Sequence, residues 1–144
     1  MALTRLASRN PESAALAGPD CLIHADWREL LVAGDLDGVI IATPPALHAE
    51  MTLAAIERDV AVLVEKPMTL TLAEAETVLE RAQSRGAIVR VDHIHLYSAA
   101  WEALKRDAAG LGPLRAIITE AGIKGPDNSQ TPVLWNWGSH DVAM

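Results

Sequence analysis

The chain has 144 residues, of which half are apolar and 22% are charged, a composition typical of a protein with a packed core rather than of a disordered or fibrous one. Its 19 acidic and 12 basic residues give a formal net charge of -7 without any Lys/Arg cluster, so neither nucleic acid nor an anionic membrane is expected as a partner. The single cysteine, Cys21, and the lack of an apolar stretch of roughly 20 residues favour a reducing, cytoplasmic setting.

Short apolar runs alternate with helical patterns through residues 1–95. The runs that we predict as strands are Ala2–Ser8, Asp20–Ala25, Val39–Ala42, Val60–Val64 and Ile88–Val91. Polar capping residues mark helix starts at Asn10, Asp26 and Thr71, and Gly86 stands where the helix that starts at Thr71 should end. Alternation with short connections predicts an α/β fold, a doubly wound parallel sheet.

The pattern changes after residue 95. A helix from Ser98 to about Ala108 precedes an alternating run, Leu114–Ala121, which predicts a strand with one solvated face. The segment Gly122–Pro132 is rich in Gly, Pro and small polar residues and predicts a loop, after which Trp135–Met144 begins a helix. We therefore expect a domain boundary near Leu96, with one domain over residues 1–95 and the start of a second over 96–144.

The glycine-rich turn of nucleotide-binding sheets is missing. Such sheets begin with a strand, a G-x-G-x-x-G turn and a helix whose N-terminus holds a pyrophosphate. No such motif occurs in this sequence. The first visible strand is then most simply the second strand of the fold, and the absent one belongs in the middle of the sheet. We expect a sheet that lacks its first strand, in a fragment or truncated reading frame that is marginally stable alone.

Lys66 is the first candidate for chemistry. It follows a buried strand within Glu65-Lys66-Pro67, and ligands of doubly wound sheets bind at the carboxyl ends of strands. A lysine there can donate a hydrogen bond to a reacting oxygen, and Pro67 is a candidate for a cis peptide bond. The tripeptide alone favours a surface lysine in an ordinary strand-to-helix connection.

Two histidine patterns provide further candidates. Asn136 and His140 are four residues apart and so share one face of a predicted helix, where His140 can serve as a general base or can simply pack beside the tryptophans. His93 and His95 lie on one side of a strand end, a spacing that metal sites use. Few further ligands are available, so a metal-dependent hydrolase is the less favoured hypothesis.

Taken in order, these segments resemble those of the Gfo/Idh/MocA oxidoreductases. The segments that carry the resemblance are Leu6-Ala7-Ser8-Arg9, Ala42-Thr43-Pro44-Pro45-Ala46-Leu47-His48, Glu65-Lys66-Pro67, Val91-Asp92-His93 and the helix from Asn136 to His140. Each motif is weak alone, but their order and spacing across nearly the whole chain are specific.

The resemblance implies a Rossmann domain over residues 1–95, here incomplete, and the start of an α/β substrate and oligomerisation domain over 96–144. It implies binding of NAD(P), hydride transfer to or from a sugar, cyclitol or related compound, and a homo-oligomer at full length. Lys66 would contact the substrate oxygen, His140 would exchange its proton, and Asn136 would position a hydroxyl. The residues expected to line the cofactor are Ser8, Arg9, Thr43, Pro44, Pro45, His48, Glu65, Lys66 and His93.

Two departures from the family pattern bear on activity. The family has an Asp where this chain has Asn136, and an amide cannot hold the charge that raises the basicity of a neighbouring histidine. The glycine-rich turn is also absent. A noncatalytic nucleotide-binding or scaffold protein is therefore the main alternative. Arg9 stands where an acid would contact the ribose of NAD, and a guanidinium can accept a 2′-phosphate, which gives a slight preference for NADP.

Overall fold

The computed structural model of the chain describes residues 2–113, 115–120 and 134–144. Strands and helices alternate up to residue 92, in the order β1 Arg5–Ala7, α1 Pro11–Ala17, β2 Leu22–His24, α2 Trp27–Val32, β3 Gly38–Ile41, α3 His48–Ile56, β4 Ala61–Glu65, α4 Leu72–Arg85 and β5 Val89–Asp92. Two 3-10 turns, two helices and a π-helical turn complete the elements: Pro45–Leu47, Ile94–Tyr97, α5 Ala99–Ala109, Leu134–Gly138 and α6 Ser139–Ala143.

Local capping explains where the helices begin and end. Asn10 accepts a hydrogen bond from the backbone N–H of Glu12 at the start of α1, and Asp26 accepts one from Arg28 at the start of α2. Thr71 and Glu74 form a reciprocal capping box at the start of α4. At the other end of α4, Gly86 has a φ of 63°, a left-handed conformation that glycine adopts without steric cost. The predicted helix starts and the predicted stop are confirmed.

The strands of the described residues form two sheets, and the pairing within each sheet is parallel. One sheet pairs β1 with β2, and the other has the order β3-β4-β5. In the common doubly wound order one further strand separates the strands equivalent to β1 and β3. The division therefore falls where the sequence predicts that a strand is missing.

An ion pair connects the first sheet to the loop before the second. Nε and Nη2 of Arg5, in β1, donate to the two carboxylate oxygens of Asp35 at 3.1 Å each. The hydrogen bond from the Arg5 guanidinium is the main reason why the pKa of Asp35 is lowered.

The core lies between α3 and one face of the larger sheet. Ile41, Val62 and Val64 project from β3 and β4 into this core, where they meet Ala55 of α3 and Leu31 of α2. Apolar side chains at every second strand position are expected on a covered sheet face. The opposite face is open, since Ile40 in the middle of β3 is 65% exposed.

The second half of the chain departs from two predictions. Residues 115–120 form no strand, so the predicted strand Leu114–Ala121 is wrong over the residues described, while positions 114 and 121 and the predicted loop Gly122–Pro132 lie outside them. A strand needs a neighbouring strand with which its backbone groups form hydrogen bonds, and an alternating pattern of apolar and polar residues does not ensure that such a neighbour exists. The predicted helix Trp135–Met144 is present, but it opens with a π-helical turn. Across the described part of the chain, no helix has the length and apolarity of a membrane span.

Candidate active site at the carboxyl ends of the strands

The candidate site is built where β3, β4 and β5 end. Because the three strands are parallel, the segments that follow them leave the sheet at one edge. Glu65 at the end of β4 is paired with Asp92 at the end of β5, which places Lys66 and His93 just beyond neighbouring strand ends. Thr43, Pro44 and Pro45 follow β3 at the same edge. The strand-end positions predicted from the sequence are thus brought together.

Lys66 lies at the centre of this edge. Its side chain is half-buried, and the peptide bond between Lys66 and Pro67 is cis, as predicted. The ammonium lies close enough to His140 to affect the ionisation of that imidazole. Two residues that the sequence analysis linked only through a resemblance therefore share one electrostatic environment.

His140 lies at the start of α6 among other imidazoles. Its side chain is buried, with 7% exposure, and its ring centroid is 4.3 Å from that of His95 and 6.4 Å from that of His93, both edge to face. Burial is the largest cause that lowers the pKa of His140, followed by the positive charge of Lys66 and then by His95 and His93. The charge of Asp141 acts in the opposite direction. The imidazole therefore remains neutral, and able to accept a proton, at lower pH than an exposed histidine.

Several buried polar atoms at this site have no hydrogen-bond partner among the described residues. They are Nδ1 of His93, Nδ1 of His140 and Oγ of Ser139. Such atoms are uncommon in folded proteins, and their grouping is typical of a site that binds a polar ligand. The residues present therefore fit the nicotinamide and substrate side of a cofactor crevice, while the pyrophosphate side requires a glycine-rich turn that this sequence does not contain.

The side chain of His48, one of the predicted cofactor-lining residues, is held between two backbone segments. The side chain is 1% exposed, and its two ring nitrogens lie 2.8 Å from the carbonyl oxygens of Pro67 and Thr43. Both ring nitrogens already face protein atoms, so neither is available to a ligand. His48 instead connects the segments that follow β3 and β4, and so fixes the separation of two parts of the site.

The end of β1 supplies the other predicted cofactor positions. The Oγ of Ser8 accepts a hydrogen bond from the backbone of Asn10 and lies 3.0 Å from the Oγ of Ser13, so this side chain organises the start of α1. Arg9 is exposed and makes no hydrogen bond or ion pair within the described residues. The hydroxyl of Ser8 is thus engaged within the protein, whereas the guanidinium of Arg9 is available to a ligand.

The expected pairing of Asn136 with His140 rests on a wrong premise. A π-helical turn covers Leu134–Gly138 and α6 begins only at Ser139, so the two residues do not belong to one continuous α-helix with four-residue spacing. The side chain of Asn136 lies outside the part of the structure that is described.

His95 was considered from the sequence only as a metal ligand, yet its ring contacts His140. The described residues contain no group of three or more His, Cys, Asp or Glu arranged to hold a metal ion. Sequence proximity to His93 was the one signal that pointed to this residue. Nothing in the sequence indicated that it meets a residue of the last helix.

Comparison with known proteins places this arrangement in a family. The model of an oxidoreductase family with an NAD-binding Rossmann fold, Gfo/Idh/MocA, matches residues 2–93. The chain belongs to this family. The resemblance and the predicted α/β, Rossmann-type fold class are confirmed.

Individual members of the Gfo/Idh/MocA family align with most of the chain. The dTDP-3,4-didehydro-2,6-dideoxy-alpha-D-glucose 3-reductase of Streptomyces violaceoruber is 33% identical over 118 residues, which cover 79% of this chain and 34% of that protein. The scyllo-inositol 2-dehydrogenase (NAD(+)) of Bacillus subtilis strain 168 is 35% identical over 89 residues, 60% of this chain and 26% of that one.

One solved structure aligns with almost the whole of this chain. The crystal structure of a protein from Magnetospirillum magnetotacticum MS-1, provisionally described as an oxidoreductase, shares 54% identity and superimposes with a TM-score of 0.93. It covers 99% of this chain, and this chain covers 47% of it. The chain therefore spans between about a quarter and a half of the length of these three proteins.

Proposed function

We propose that this chain forms part of an NAD(P)-dependent oxidoreductase that transfers hydride between the nicotinamide and a hydroxyl or carbonyl carbon of a sugar, cyclitol or related compound. The observation that carries the proposal is the placement of Lys66, at the carboxyl end of β4, within electrostatic reach of the buried His140. The names of the relatives, a deoxysugar reductase and an inositol dehydrogenase, support the substrate class.

Lys66 and His140 have different roles at the reacting oxygen of the substrate. The Lys66 ammonium donates a hydrogen bond to the substrate oxygen and stabilises the negative charge that develops there. In oxidation, His140 accepts the proton that leaves the hydroxyl, and in reduction it returns that proton. The bound nicotinamide supplies the hydride chemistry. Because the pKa of His140 is lowered, the ring is ready to accept a proton near neutral pH.

The strand ends provide the walls of the cofactor crevice. We assign Thr43, Pro44 and Pro45 after β3, and Glu65 and His93 at the ends of β4 and β5, to this role, since all leave one edge of the sheet. We also propose that Asn136 positions a hydroxyl group of the substrate.

Turnover of inositols and sugars with NADP or NAD, measured by nicotinamide absorbance, tests the proposed activity. Lys66→Ala should lower kcat by roughly 100-fold or more, because it removes the donor to the charged oxygen. Lys105→Ala is the matched control, since that lysine lies on α5 and pairs with Glu102 on the surface. Equal turnover in the two variants would contradict the role of Lys66.

Cofactor preference is tested separately. We propose that Arg9 favours NADP, because its exposed guanidinium has no partner within the described residues and can pair with a 2′-phosphate. Titration of the protein with NADPH and NADH, followed by nicotinamide fluorescence, should show tighter binding of NADPH. Arg9→Asp should weaken NADPH binding by roughly 10-fold or more. Equal affinity for the two cofactors before substitution would refute the preference.

A noncatalytic nucleotide-binding or scaffold protein remains the second candidate, and the amide at position 136 favours it. Cofactor binding without turnover of any sugar or cyclitol would support this alternative. We further propose a cytoplasmic location, which rests on the single Cys21, and a homo-oligomer, which rests on the family resemblance and is tested by light scattering.

A further inference from the structure

Within residues 2–113, 115–120 and 134–144, the His140 ring has no partner of the kind that usually orients a proton-accepting histidine. Such a ring is generally held by a hydrogen bond at the nitrogen that does not meet the substrate. Here Nδ1 of His140 is buried and has no hydrogen-bond partner among the described residues. The helix that carries the ring, α6, is only five residues long and contributes little rigidity by itself. Within the described part of the chain, it is therefore packing that orients the imidazole.

His95 provides that packing from a well-fixed turn. Its ring centroid lies 4.3 Å from that of His140 with an interplanar angle of 76°, the edge-to-face arrangement that aromatic rings favour. The carbonyl of His95 accepts hydrogen bonds from both the hydroxyl and the backbone N–H of Ser98, at 2.9 and 3.2 Å. Ser98 in turn caps α5 by accepting a hydrogen bond from Trp101. The turn that carries His95 is thus attached to a longer helix.

We propose that His95 is a positioning residue for His140, and that its ring replaces the hydrogen-bonded acid that would otherwise orient this proton acceptor. The inference rests on the proposed function, because positioning matters only if His140 exchanges a proton with the substrate. The ring contact itself exists whether or not the protein is an enzyme.

The contact between His95 and His140 also affects the pKa of His140, because charged groups surround that ring. The titratable groups that face the ring are Lys66 beyond β4, His93 and His95 beyond β5, and Asp141 on its own helix. A protonated His95 opposes protonation of His140, so its replacement by an uncharged residue should raise the pKa of His140. A phenyl ring at position 95 would keep the edge-to-face contact and remove only the charge.

NMR of the imidazole protons tests the contact directly in the 144-residue protein. Nuclear Overhauser effects should connect the rings of His95 and His140. His95→Phe should retain the ring contact and raise the pKa of His140, whereas His95→Ala should raise that pKa and also abolish the ring-current shift of the His140 signals. Tyr97→Ala, an exposed residue in the same turn, is the control and should change neither quantity. The absence of an Overhauser effect, or an unchanged His140 pKa in both His95 variants, would overturn the proposal.

Kinetics distinguish this inference from the proposed function. If the protein turns over substrate, His95→Ala should lower kcat several-fold with little change in KM, and should move the acidic limb of the pH profile upwards. His95→Phe should recover kcat while keeping the shifted limb. Retained ring contacts in a protein without turnover would refute the proposed function alone. An active protein whose kcat and pH profile do not respond to either variant would refute the positioning role alone. Because His95 is exposed, both variants should fold.

Discussion

Nδ1 of His48 lies 2.8 Å from the carbonyl oxygen of Pro67, and Nε2 of the same ring lies 2.8 Å from the carbonyl oxygen of Thr43. One buried side chain thereby connects the segments that leave β3 and β4. Which ring nitrogen donates to its carbonyl oxygen depends on the tautomer of the imidazole. The distance between the two strand ends, and hence the shape of the candidate site, depends on this connection.

His48→Ala should lower the free energy of unfolding by roughly 2–4 kcal/mol, because it leaves a cavity and removes the imidazole that two backbone carbonyl groups face. Urea denaturation measures this loss. Tyr97→Ala serves as the control: it also removes an aromatic ring, but one that is 82% exposed, and should change stability by less than about 0.5 kcal/mol. Similar losses for the two variants would show that His48 does not hold the strand ends together.

Thr71→Ala tests the cap of α4. Thr71 accepts a hydrogen bond from the backbone of Glu74, whose carboxylate accepts one from the backbone of Thr71 in return. Loss of the threonine hydroxyl should cost about 1 kcal/mol of stability. Thr77→Ala, in the middle of the same helix, removes the same atoms and should be neutral or slightly stabilising, because alanine favours helix more than threonine does. If the two variants lose the same stability, the capping box contributes nothing.

The features that the sequence predicts correctly are those determined by residues close together along the chain. The start of α4 at Thr71 and its end at Gly86 follow from capping chemistry that acts within a few residues. β4 was predicted within one residue of its observed bounds, Ala61–Glu65, because an apolar run between a polar segment and a proline leaves little choice. The sequence likewise placed Lys66 at the carboxyl end of a strand, and it directly follows β4.

The contacts that the sequence could not predict join residues that are distant along the chain. The ring contact between His95 and His140 depends on where α6 returns to the sheet, and no local pattern carries that information. The role of His48 was missed for the same reason, since its partners become visible only when β3 and β4 are side by side. The strand wrongly predicted over residues 115–120 is the opposite kind of error. There the local sequence pattern suggests a strand, but the described structure provides no neighbouring strand to pair with it.

Two isoleucines test whether the cost of removing a side chain follows its burial. Ile56 at the end of α3 is 0% exposed, whereas Ile40 in β3 is 65% exposed. Ile56→Ala should lower the free energy of unfolding by roughly 2–5 kcal/mol, as is typical of a large-to-small substitution in a core. Ile40→Ala should cost much less, about 1 kcal/mol or under, since the side chain loses little contact and only some strand propensity. Urea denaturation of both variants provides the comparison, and an equal or greater loss for Ile40→Ala would contradict the open environment of that side chain.

The depressed pKa of His140 predicts how stability responds to acid. In the unfolded chain this histidine has its ordinary pKa of 6.5, and in the folded protein burial, Lys66, His95 and His93 lower that pKa. The unfolded state therefore binds the proton more readily, so the contribution of His140 is fully present above pH 6.5 and is lost as the pH falls through the folded-state pKa. The slope from this one group cannot exceed about 1.4 kcal/mol per pH unit.

Urea denaturation at a series of pH values between about 5 and 7, where most carboxylates remain ionised, isolates this effect. His140→Gln should remove part of the loss of stability on acidification. Asp141→Asn provides a test of sign, because the charge of Asp141 favours the imidazolium and its removal should lower the pKa of His140 further. That variant should therefore lose stability to acid over a wider pH range than the unsubstituted protein. If His140→Gln left the pH dependence unchanged, the source of any acid sensitivity would have to be another group.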